Sequence, residues 1–165
     1  MSRLSLSAAA DGREFRNALG CYATGIAVVT LRTPPGDLLG LTVNSFNSVS
    51  LAPPLVVWSL SNASSFLAAF EASEYYAINV LAADQRELSQ RFASRTEDRF
   101  GGLALDEGLG GAPLLPACCA RFECRNATRH AGGDHVVFIG EVERFDYREG
   151  EPLIYFGGAY RQLAA

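Results

Sequence analysis

The side chains best suited to binding a ligand lie close together, between positions 42 and 50. Six of these nine residues carry a hydroxyl or an amide. They are Thr42, Asn44, Ser45, Asn47, Ser48 and Ser50. The flanking segments 39–43 and 55–60 are apolar and predict buried strands. Small donors held between two rigid strands favour a ligand rich in acceptors, such as a phosphate joined to a polar ring.

A second candidate is the segment H-A-G-G-D-H, from His130 to His135. Its two glycines would let the backbone approach a ligand closely, and Asp134 adjoins the titratable ring of His135. A solvated hairpin turn whose histidines have no role explains the pattern equally well. The pair Arg91 and Phe92 is similarly ambiguous, because an arginine at the end of a helix also complements the helix dipole.

The four cysteines and two histidines raise the question of a metal site. Cys118 and Cys119 are adjacent, Cys124 follows, and Cys21 is remote, so the sequence has no C-x-x-C pair. We therefore expect no metal. Buried free thiols in a reducing compartment explain these cysteines better.

Composition excludes several classes of protein. The chain has 165 residues, a formal net charge of −4 and no lysine, which argues against a nucleic-acid partner. Without a targeting segment or an apolar stretch long enough to span a membrane, we expect a soluble, cytoplasmic protein with no membrane partner. We expect residues 1–10 to form a flexible N-terminal tail and residues 11–165 to form a single domain.

Three segments have the composition of helices. They are residues 12–22 with an N-cap at Asp11, residues 63–72 with Ser64 or Ser65 near the start, and residues 84–92 with an N-cap at Asp84. In the first helix Phe15, Leu19 and Tyr22 share one face, which we expect to pack in the core. At the start of the second, backbone N–H groups could meet an anion.

Strand patterns are more numerous than helix patterns. Strands are predicted at 25–31, 39–43, 55–60, 75–81, 118–129, 135–145 and 153–157. The Gly- and Pro-rich segment 101–117 predicts a loop. Short hairpin connections without regular βαβ alternation favour a mainly β fold, an antiparallel barrel with helical additions, over a doubly wound sheet.

The usual fingerprints of nucleotide binding and of hydrolysis are missing. No P-loop is present, and Pro113 follows the glycines at 108–111, where a Rossmann motif would open a helix. The G-x-S-x-G elbow of serine hydrolases is also absent. A nicotinamide cofactor would therefore not be held in a Rossmann cradle.

Several motifs, in matching order and spacing, resemble the flavin reductase family with an FMN-binding split barrel. The motifs are T-x-N-S-F-x-S-V-S-L-x-P-P-L, N-V-L, R-F, F-x-C, G-D-H, G-E-V and P-L-x-Y-F-x-G-x-Y, after F-R-x-A-L-G-x-Y-A-T-G-I-A-V-V-T from Phe15 to Thr30. Each motif is weak alone, but together they cover roughly residues 12–163.

The resemblance implies a homodimeric split β-barrel, an antiparallel and Greek-key-like barrel, that binds FMN or FAD. The activity it implies is that of an NAD(P)H:flavin oxidoreductase, which passes a hydride from NADH or NADPH to the flavin. Many members release reduced flavin to a partner monooxygenase, and we expect the same here. The absence of lysine slightly favours NADH over NADPH. Two alternatives stay open: a flavin-binding sensor or structural protein without turnover, and a flavin-dependent reductase of another acceptor, such as a corrinoid.

The resemblance also assigns residues to the two cofactors. The edge of the flavin ring would contact Thr42, Val43, Asn44 and Ser45. The ribityl and phosphate groups would contact Ser48, Val49, Ser50, Ser64 and Ser65, with Arg91 and Phe92 at the phosphate or nucleotide end. The nicotinamide would dock at Gly133, Asp134 and His135, with Tyr160 near the same pocket. We expect His135 to orient the nicotinamide amide or to stabilise charge near the flavin, because hydride transfer to the flavin needs no side-chain base.

Overall fold

Strands form most of the regular structure in the computed structural model, which describes residues 12–163. The strands are β1 Thr24–Gly25, β2 Ala27–Arg32, β3 Leu38–Val43, β4 Asn47–Leu51, β5 Pro54–Ser61, β6 Tyr75–Val80, β7 Asp106–Glu107, β8 Pro113–Leu114, β9 Ala120–Gly132, β10 His135–Tyr147, β11 Ile154–Phe156 and β12 Ala159–Arg161. The helices are α1 Gly12–Leu19, α2 Leu67–Ala72 and α3 Arg86–Ala93, with a 3-10 turn at Leu109–Gly111. The predicted tail 1–10 and the predicted N-cap Asp11 lie outside the described residues.

Seven strands form one antiparallel sheet in the order β3-β2-β6-β9-β10-β5-β4. The two edge strands, β3 and β4, are separated in the chain by residues 44–46 alone, so the sheet must curve until its edges approach each other. Ser45 ties this junction to β5, because its hydroxyl donates to the Ser59 carbonyl oxygen at 3.3 Å and accepts the Ser59 N–H at 3.0 Å. The prediction of a mainly β, antiparallel barrel is confirmed.

Strand β2 is buried on both faces, and one hydrophobic cluster packs on each face. Val29 belongs to the cluster inside the barrel, where Trp58 is fully buried and stacks on Phe138 with ring centroids 4.6 Å apart. Val28 belongs to the cluster that contains Phe92 of α3. Successive side chains of a strand point to opposite faces, so β2 joins the barrel core to the helix that borders the site.

Helix α1 forms, but its apolar face is not in the core. It ends at Leu19, and Phe15, Leu19 and Tyr22 are 50 %, 59 % and 69 % exposed. The prediction that this face packs in the core is therefore wrong. Helical periodicity places apolar side chains together, but it does not tell whether they meet the chain's own core or another surface.

The other two helices start later than predicted. Helix α2 begins at Leu67, after a turn in which the Ser64 hydroxyl accepts the Phe66 N–H at 3.2 Å. Helix α3 begins at Arg86 with Gln85 at the N-cap, so the prediction of an N-cap at Asp84 is wrong. The competing contact comes from Gln85, whose side-chain oxygen accepts the Ala82 N–H at 3.0 Å.

The predicted strands and the predicted loop are present with shifted ends. Segment 101–117 is irregular apart from β7, β8 and the 3-10 turn. The sequence pattern does not predict β4, because its polar run lacks the alternation of a half-buried strand. It also does not predict β12, which extends the C-terminal hairpin. None of the helices among residues 12–163 has both the length and the apolar character needed to cross a bilayer.

Candidate cofactor site

Two cavities meet at Thr42, at the end of β3. The first, called the small cavity, has a volume of about 210 Å³. It is lined by Ile26, Thr42, Val43, Asn44, Ser89, Ala93, Tyr155 and Tyr160. The second, called the large groove, has a volume of about 750 Å³. Thr42, Ser64, Ser65, Phe92 and Ala93 line it, together with the segment 94–97 and Arg99.

A chain of hydrogen bonds holds the walls of the small cavity. The Thr42 hydroxyl donates to the carbonyl oxygen of Ser89 at 2.7 Å, which ties β3 to α3. The Ser89 hydroxyl, which is fully buried, shares a hydrogen bond of 3.0 Å with the phenol of Tyr160. Arg86 covers the Tyr160 ring, with its guanidinium carbon 5.1 Å from the ring centroid. The strand β3, the helix α3 and the strand β12 are therefore locked together around this cavity.

The large groove combines hydroxyls with cations. Ser64 and Ser65 line it from the turn before α2, while Arg95 and Arg99 line it from the segment after α3. Arg99 donates to the Ser94 carbonyl oxygen at 2.6 Å, and its guanidinium lies 5.0 Å from the Phe66 ring centroid. Its Nε is buried without a hydrogen-bond partner among the described residues. The groove also carries the carboxylate of Glu97, but its hydroxyls and two guanidinium groups suit a phosphate.

The polar run therefore divides between the site and the barrel wall. Thr42, Val43 and Asn44 line the small cavity, and their contact with the edge of the flavin ring stays a prediction. Ser45 does not line either cavity. Its hydroxyl donates one hydrogen bond to the backbone of Ser59 and accepts another from it. The remaining predicted contacts, Ser48, Val49 and Ser50, lie on β4, outside the small cavity and the large groove.

Arg91 and Phe92 also take different roles. Arg91 does not line the large groove, because its guanidinium donates to the carbonyl oxygen of Gly101 at 3.0 Å. Phe92 borders the groove but is buried, and its ring packs edge-on against Phe100 at 4.9 Å between centroids. The cations at this groove are Arg95 and Arg99 instead. They follow α3 in the run S-R-T-E-D-R, a signal that could have been found in the sequence.

The hairpin that carries His135 lies beside the serine turn. Its turn residue Gly133 has a φ of 71°, a conformation that favours glycine. Asn62 fixes the turn, because its backbone N–H donates to the Asp134 carbonyl oxygen at 2.9 Å and its side-chain amide donates to the Gly133 carbonyl oxygen at 3.1 Å. His135 Nδ1 contacts Asp134 at 2.7 Å, and this hydrogen bond lowers the pKa of the Asp134 carboxyl. His135 is thus placed near the loop of Ser64 and Ser65, although it does not line the large groove.

Two of the four cysteines have surroundings typical of packing residues, whereas Cys21 is exposed and Cys119 is partly exposed, so the prediction of buried thiols is wrong for Cys21. Cys118 and Cys124 are buried, and burial raises the pKa of each thiol to about 12. Burial also raises the pKa of Cys119. Within residues 12–163, no group of three or more His, Cys, Asp or Glu side chains is placed to hold a metal ion.

Comparison with known proteins identifies the family. The flavin reductase like domain matches residues 19–164. This chain belongs to the flavin reductase like family. SmoA, an FMN reductase (NADH) from Agrobacterium fabrum, is 49 % identical over 154 residues, which are 93 % of this chain and 87 % of that protein. HsaB, the reductase subunit of a flavin-dependent monooxygenase from Rhodococcus jostii, is 37 % identical over 92 % of this chain and 78 % of that protein.

A solved structure of the same family agrees with the fold. The NADH:FAD oxidoreductase SgcE6 from Streptomyces globisporus, in complex with NAD and FAD fragments, has a TM-score of 0.92 and 32 % sequence identity, with 98 % of each chain covered. The chain spans about half the length of some other relatives. The predictions of the split-barrel fold, of an NAD(P)H-dependent flavin reductase, and of a flavin and a nicotinamide as cofactors are confirmed.

The described residues fit the flavin cofactor of this flavin reductase like protein. The volume of the large groove lies within the usual range for small-molecule sites, about 300–1,000 Å³. Its hydroxyls and guanidinium groups suit the ribityl chain and the phosphate, and the adjoining small cavity offers the aromatic rings of Tyr155 and Tyr160. The assignment of individual residues to the flavin and the nicotinamide stays a prediction. Ser89, Tyr155, Arg95 and Arg99 are site residues that the sequence patterns did not indicate.

Proposed function

We propose that this chain is an NADH-dependent FMN reductase that works as a homodimer and delivers reduced flavin to a partner monooxygenase. One observation carries the proposal. A groove with hydroxyls and cations, suited to a phosphate, adjoins at Thr42 a small cavity with tyrosine rings and neutral donors, suited to the flavin ring. The similarity to SmoA, an FMN reductase (NADH), favours FMN and NADH among the cofactors. The similarity to HsaB, a monooxygenase reductase subunit, supports the partner.

In this proposal the flavin phosphate lies in the large groove, near Ser64, Ser65 and Arg95. The ring edge lies along Thr42 and Asn44. The flavin would supply the redox chemistry, by accepting a hydride from the nicotinamide. The chain's own task is orientation and exclusion of water, because the rate of hydride transfer depends on the distance and angle between the two rings. The Thr42 to Ser89 hydrogen bond holds the wall against which the ring would rest.

Neutral donors also suit a flavin that must leave after reduction. Around the ring, the lining of the small cavity has hydroxyl and amide donors but no charged side chain among residues 12–163, and neutral donors give weaker hydrogen bonds than the arginines of the large groove do. We therefore propose that flavin exchanges with solution between turnovers. If the purified protein retains stoichiometric flavin through extended dialysis, exchange between turnovers does not occur.

His135 is proposed to orient the nicotinamide amide, with Gly133 and Asp134 shaping the turn. Asp134 contacts the Nδ1 atom of the ring, which leaves Nε2 available to a ligand. The substitution His135→Ala should raise the apparent KM for NADH and lower the rate of flavin reduction. Unchanged values of both would identify His135 as a turn residue without a role in the reaction.

The homodimer is proposed from the uncovered apolar face of α1. Phe15, Leu19 and Tyr22 form a stripe that a second copy of the chain could bury. On β4, Val49 is half exposed and Leu51 is almost fully exposed. If β4 also meets the second copy, Ser48, Val49 and Ser50 would contact the flavin tail from a wall that both subunits complete.

The experiment for the proposed function mixes the purified chain with each pair of donor and flavin: NADH or NADPH with FMN or FAD. Consumption is followed by the loss of reduced-nicotinamide absorbance, and the pair of NADH and FMN should give the highest kcat/KM. If no pair gives consumption of NADH or NADPH, the chain is a flavin-binding protein without turnover. Fast consumption only with an added third acceptor would indicate a reductase of that acceptor.

The dimer has a separate test by sedimentation equilibrium. The wild-type chain should have twice the mass of one chain, and Leu19→Asp should shift it to the monomer, because burying a carboxylate in an apolar contact is costly. A matched control is Ala104→Asp, which adds the same charge at an exposed position. A monomeric wild-type protein, or a dimer that tolerates Leu19→Asp, would contradict the proposed interface.

A further inference from the structure

A third cavity adjoins the site on the side of Tyr160. It is called the arginine groove and has a volume of about 380 Å³. Its lining consists of Ala83, Arg86, Leu153, Tyr160, Arg161 and Gln162. Tyr160 lines both this groove and the small cavity, so a ligand with one ring in the small cavity could extend past Tyr160 into the arginine groove.

The two arginines of this groove differ from most others in the chain. Arg121, Arg125 and Arg144, for example, form ion pairs with carboxylates. Within residues 12–163, Arg86 and Arg161 have no ion pair and no side-chain hydrogen bond. Arg86 is oriented by the Tyr160 ring beneath its guanidinium, while its donors are left for another partner. Among the residues that the structure describes, no acidic side chain lines the groove.

The position of Arg86 adds to the local positive potential. It is the first residue of α3, an eight-residue helix, where the helix dipole already places partial positive charge. Glu87 in the same turn offsets part of this charge, but it does not line the groove. Two guanidinium groups and a helix N-terminus therefore make this groove suited to a multiply charged anion, and guanidinium groups match the geometry of phosphate oxygens.

The large groove already has its own cations and hydroxyls. Arg95, Arg99 and the two serines adjoin the small cavity through Thr42, whereas Arg86 and Arg161 adjoin it through Tyr160. The small cavity is thus bordered by two separate grooves, each of which is lined by two arginines. A reductase that brings two phosphate-bearing cofactors together needs two such places.

We propose that Arg86 and Arg161 bind the pyrophosphate of the nicotinamide dinucleotide, while the large groove binds the phosphate of the flavin. This inference rests on the proposed function, because it assigns one groove to each cofactor of the reaction. It makes Arg86 and Arg161 determinants of affinity for the hydride donor. They have no role in binding the flavin.

The experiment compares Arg86→Gln, Arg161→Gln and the double variant with wild type. A matched control is Arg129→Gln, which removes the same charge from an exposed side chain that lines none of the three cavities. Calorimetric titration with ADP-ribose, which carries the pyrophosphate without nicotinamide, should show a loss of affinity of about tenfold for each arginine, the effect of one charge-assisted hydrogen bond. The KM for NADH should rise by the same factor.

Two further measurements locate the effect. Flavin reduction by 1-benzyl-1,4-dihydronicotinamide, a donor without phosphate, should be unchanged in Arg161→Gln and should fall by much less than reduction by NADH in Arg86→Gln, which also loses its contact with the Tyr160 ring. The affinities for FMN and FAD should also be unchanged. The control variant should match wild type in every measurement.

Three results would overturn the inference. Unchanged ADP-ribose affinity and KM for NADH would show that the arginines do not meet the donor. A loss of affinity for FAD but not FMN would assign the groove to the adenylate of the flavin. An equal loss with the phosphate-free donor would indicate a structural role. Failure of the proposed function gives a different result, because the wild-type chain would then not oxidise NADH with any flavin. That result does not depend on the titration with ADP-ribose.

Discussion

Two clusters of polar side chains, one between β2 and β6 and the other between β3, α3 and β12, differ in what surrounds them. In the first, here called the closed cluster, Asn79 and Thr30 are fully buried. Asn79 makes three hydrogen bonds, to Val28, to Thr30 and from the Leu115 N–H, at 3.1, 3.1 and 2.8 Å. The Thr30 hydroxyl donates to Pro113 at 2.6 Å. These contacts attach the segment 101–117 to the barrel.

The second, here called the open cluster, consists of Thr42, Ser89 and Tyr160. Its members also bond to one another or to the backbone, but they line a cavity. The same side-chain chemistry therefore stabilises the fold where every partner is internal, and leaves polar atoms beside a cavity where one side is open. Substitutions in the closed cluster should change stability, and substitutions in the open cluster should change cofactor binding.

The largest effect should come from Asn79→Ala. It removes the acceptor of the buried Leu115 N–H and one donor each from the Val28 carbonyl and the Thr30 hydroxyl, and should lower the free energy of unfolding by about 3 kcal/mol. Urea unfolding at a fixed protein concentration measures this change. Thr30→Val, which removes the hydroxyl but keeps the shape, should cost less. A loss of flavin affinity in folded Asn79→Ala protein would contradict the separation of the two clusters.

The next effect should come from the hydrogen bond between Ser89 and Tyr160. Ser89→Ala and Tyr160→Phe each remove it, and each should lower kcat/KM about fivefold, equivalent to about 1 kcal/mol. The double variant should be no worse than either single variant, because both remove the same interaction. Ser73→Ala is the control, since its hydroxyl bonds to the Tyr75 backbone outside the cavities. Additive losses in the double variant would show that the two side chains act separately.

A smaller effect should separate Ser45 from Asn44. Ser45→Ala removes the link to Ser59 and should lower the free energy of unfolding by about 1 kcal/mol, with flavin affinity changed by less than about twofold. Asn44 is exposed and lines the small cavity, so Asn44→Ala should lower flavin affinity and leave the free energy of unfolding nearly unchanged. Fluorescence titration with FMN and urea unfolding test both. Equal losses of affinity would place Ser45 on the flavin ring, as the family resemblance implies.

The smallest effect should be the titration of Asp134. The hydrogen bond from His135 lowers the pKa of this carboxyl, so the folded state favours the carboxylate. Its contribution to stability is therefore present above the unfolded pKa and is lost as the pH falls through the lower folded pKa. Carbon NMR of the Asp134 carboxyl should show a midpoint below the ordinary value, and His135→Ala should raise it. An unchanged midpoint would mean that the two side chains do not interact in solution.

The separation of roles within the polar run illustrates what could be predicted from sequence. The type and order of its residues predicted a ligand wall, and Thr42, Val43 and Asn44 do line a cavity. The type of residue could not tell that Ser45 bonds to Ser59, because that contact depends on β5 lying beside the turn. The role predicted for Arg91 stays a prediction, but residue type alone could not tell which backbone group this side chain meets. Its guanidinium reaches the backbone of Gly101, so the groove takes its cations from Arg95 and Arg99.

The apolar face of α1 shows the same limit of prediction from sequence. Periodicity predicted which side chains share a face, but only the packed structure showed that this face remains exposed. The site residue Ser89 was not predicted because a serine in a helix has no distinctive pattern. Its importance comes from Thr42 and Tyr160, which approach it from distant parts of the chain.

By itself, the sequence determined the family, the mainly β architecture and the stretch of chain that borders the cofactor site. Those properties depend on local periodicity, turn residues and motif order, all of which are written along the chain. The tertiary structure decided which hydroxyls face a cavity, which arginines lack an internal partner and which apolar face stays uncovered. Each of these depends on what a distant segment contributes, and the free energy of a polar group depends on whether that segment supplies its hydrogen bond.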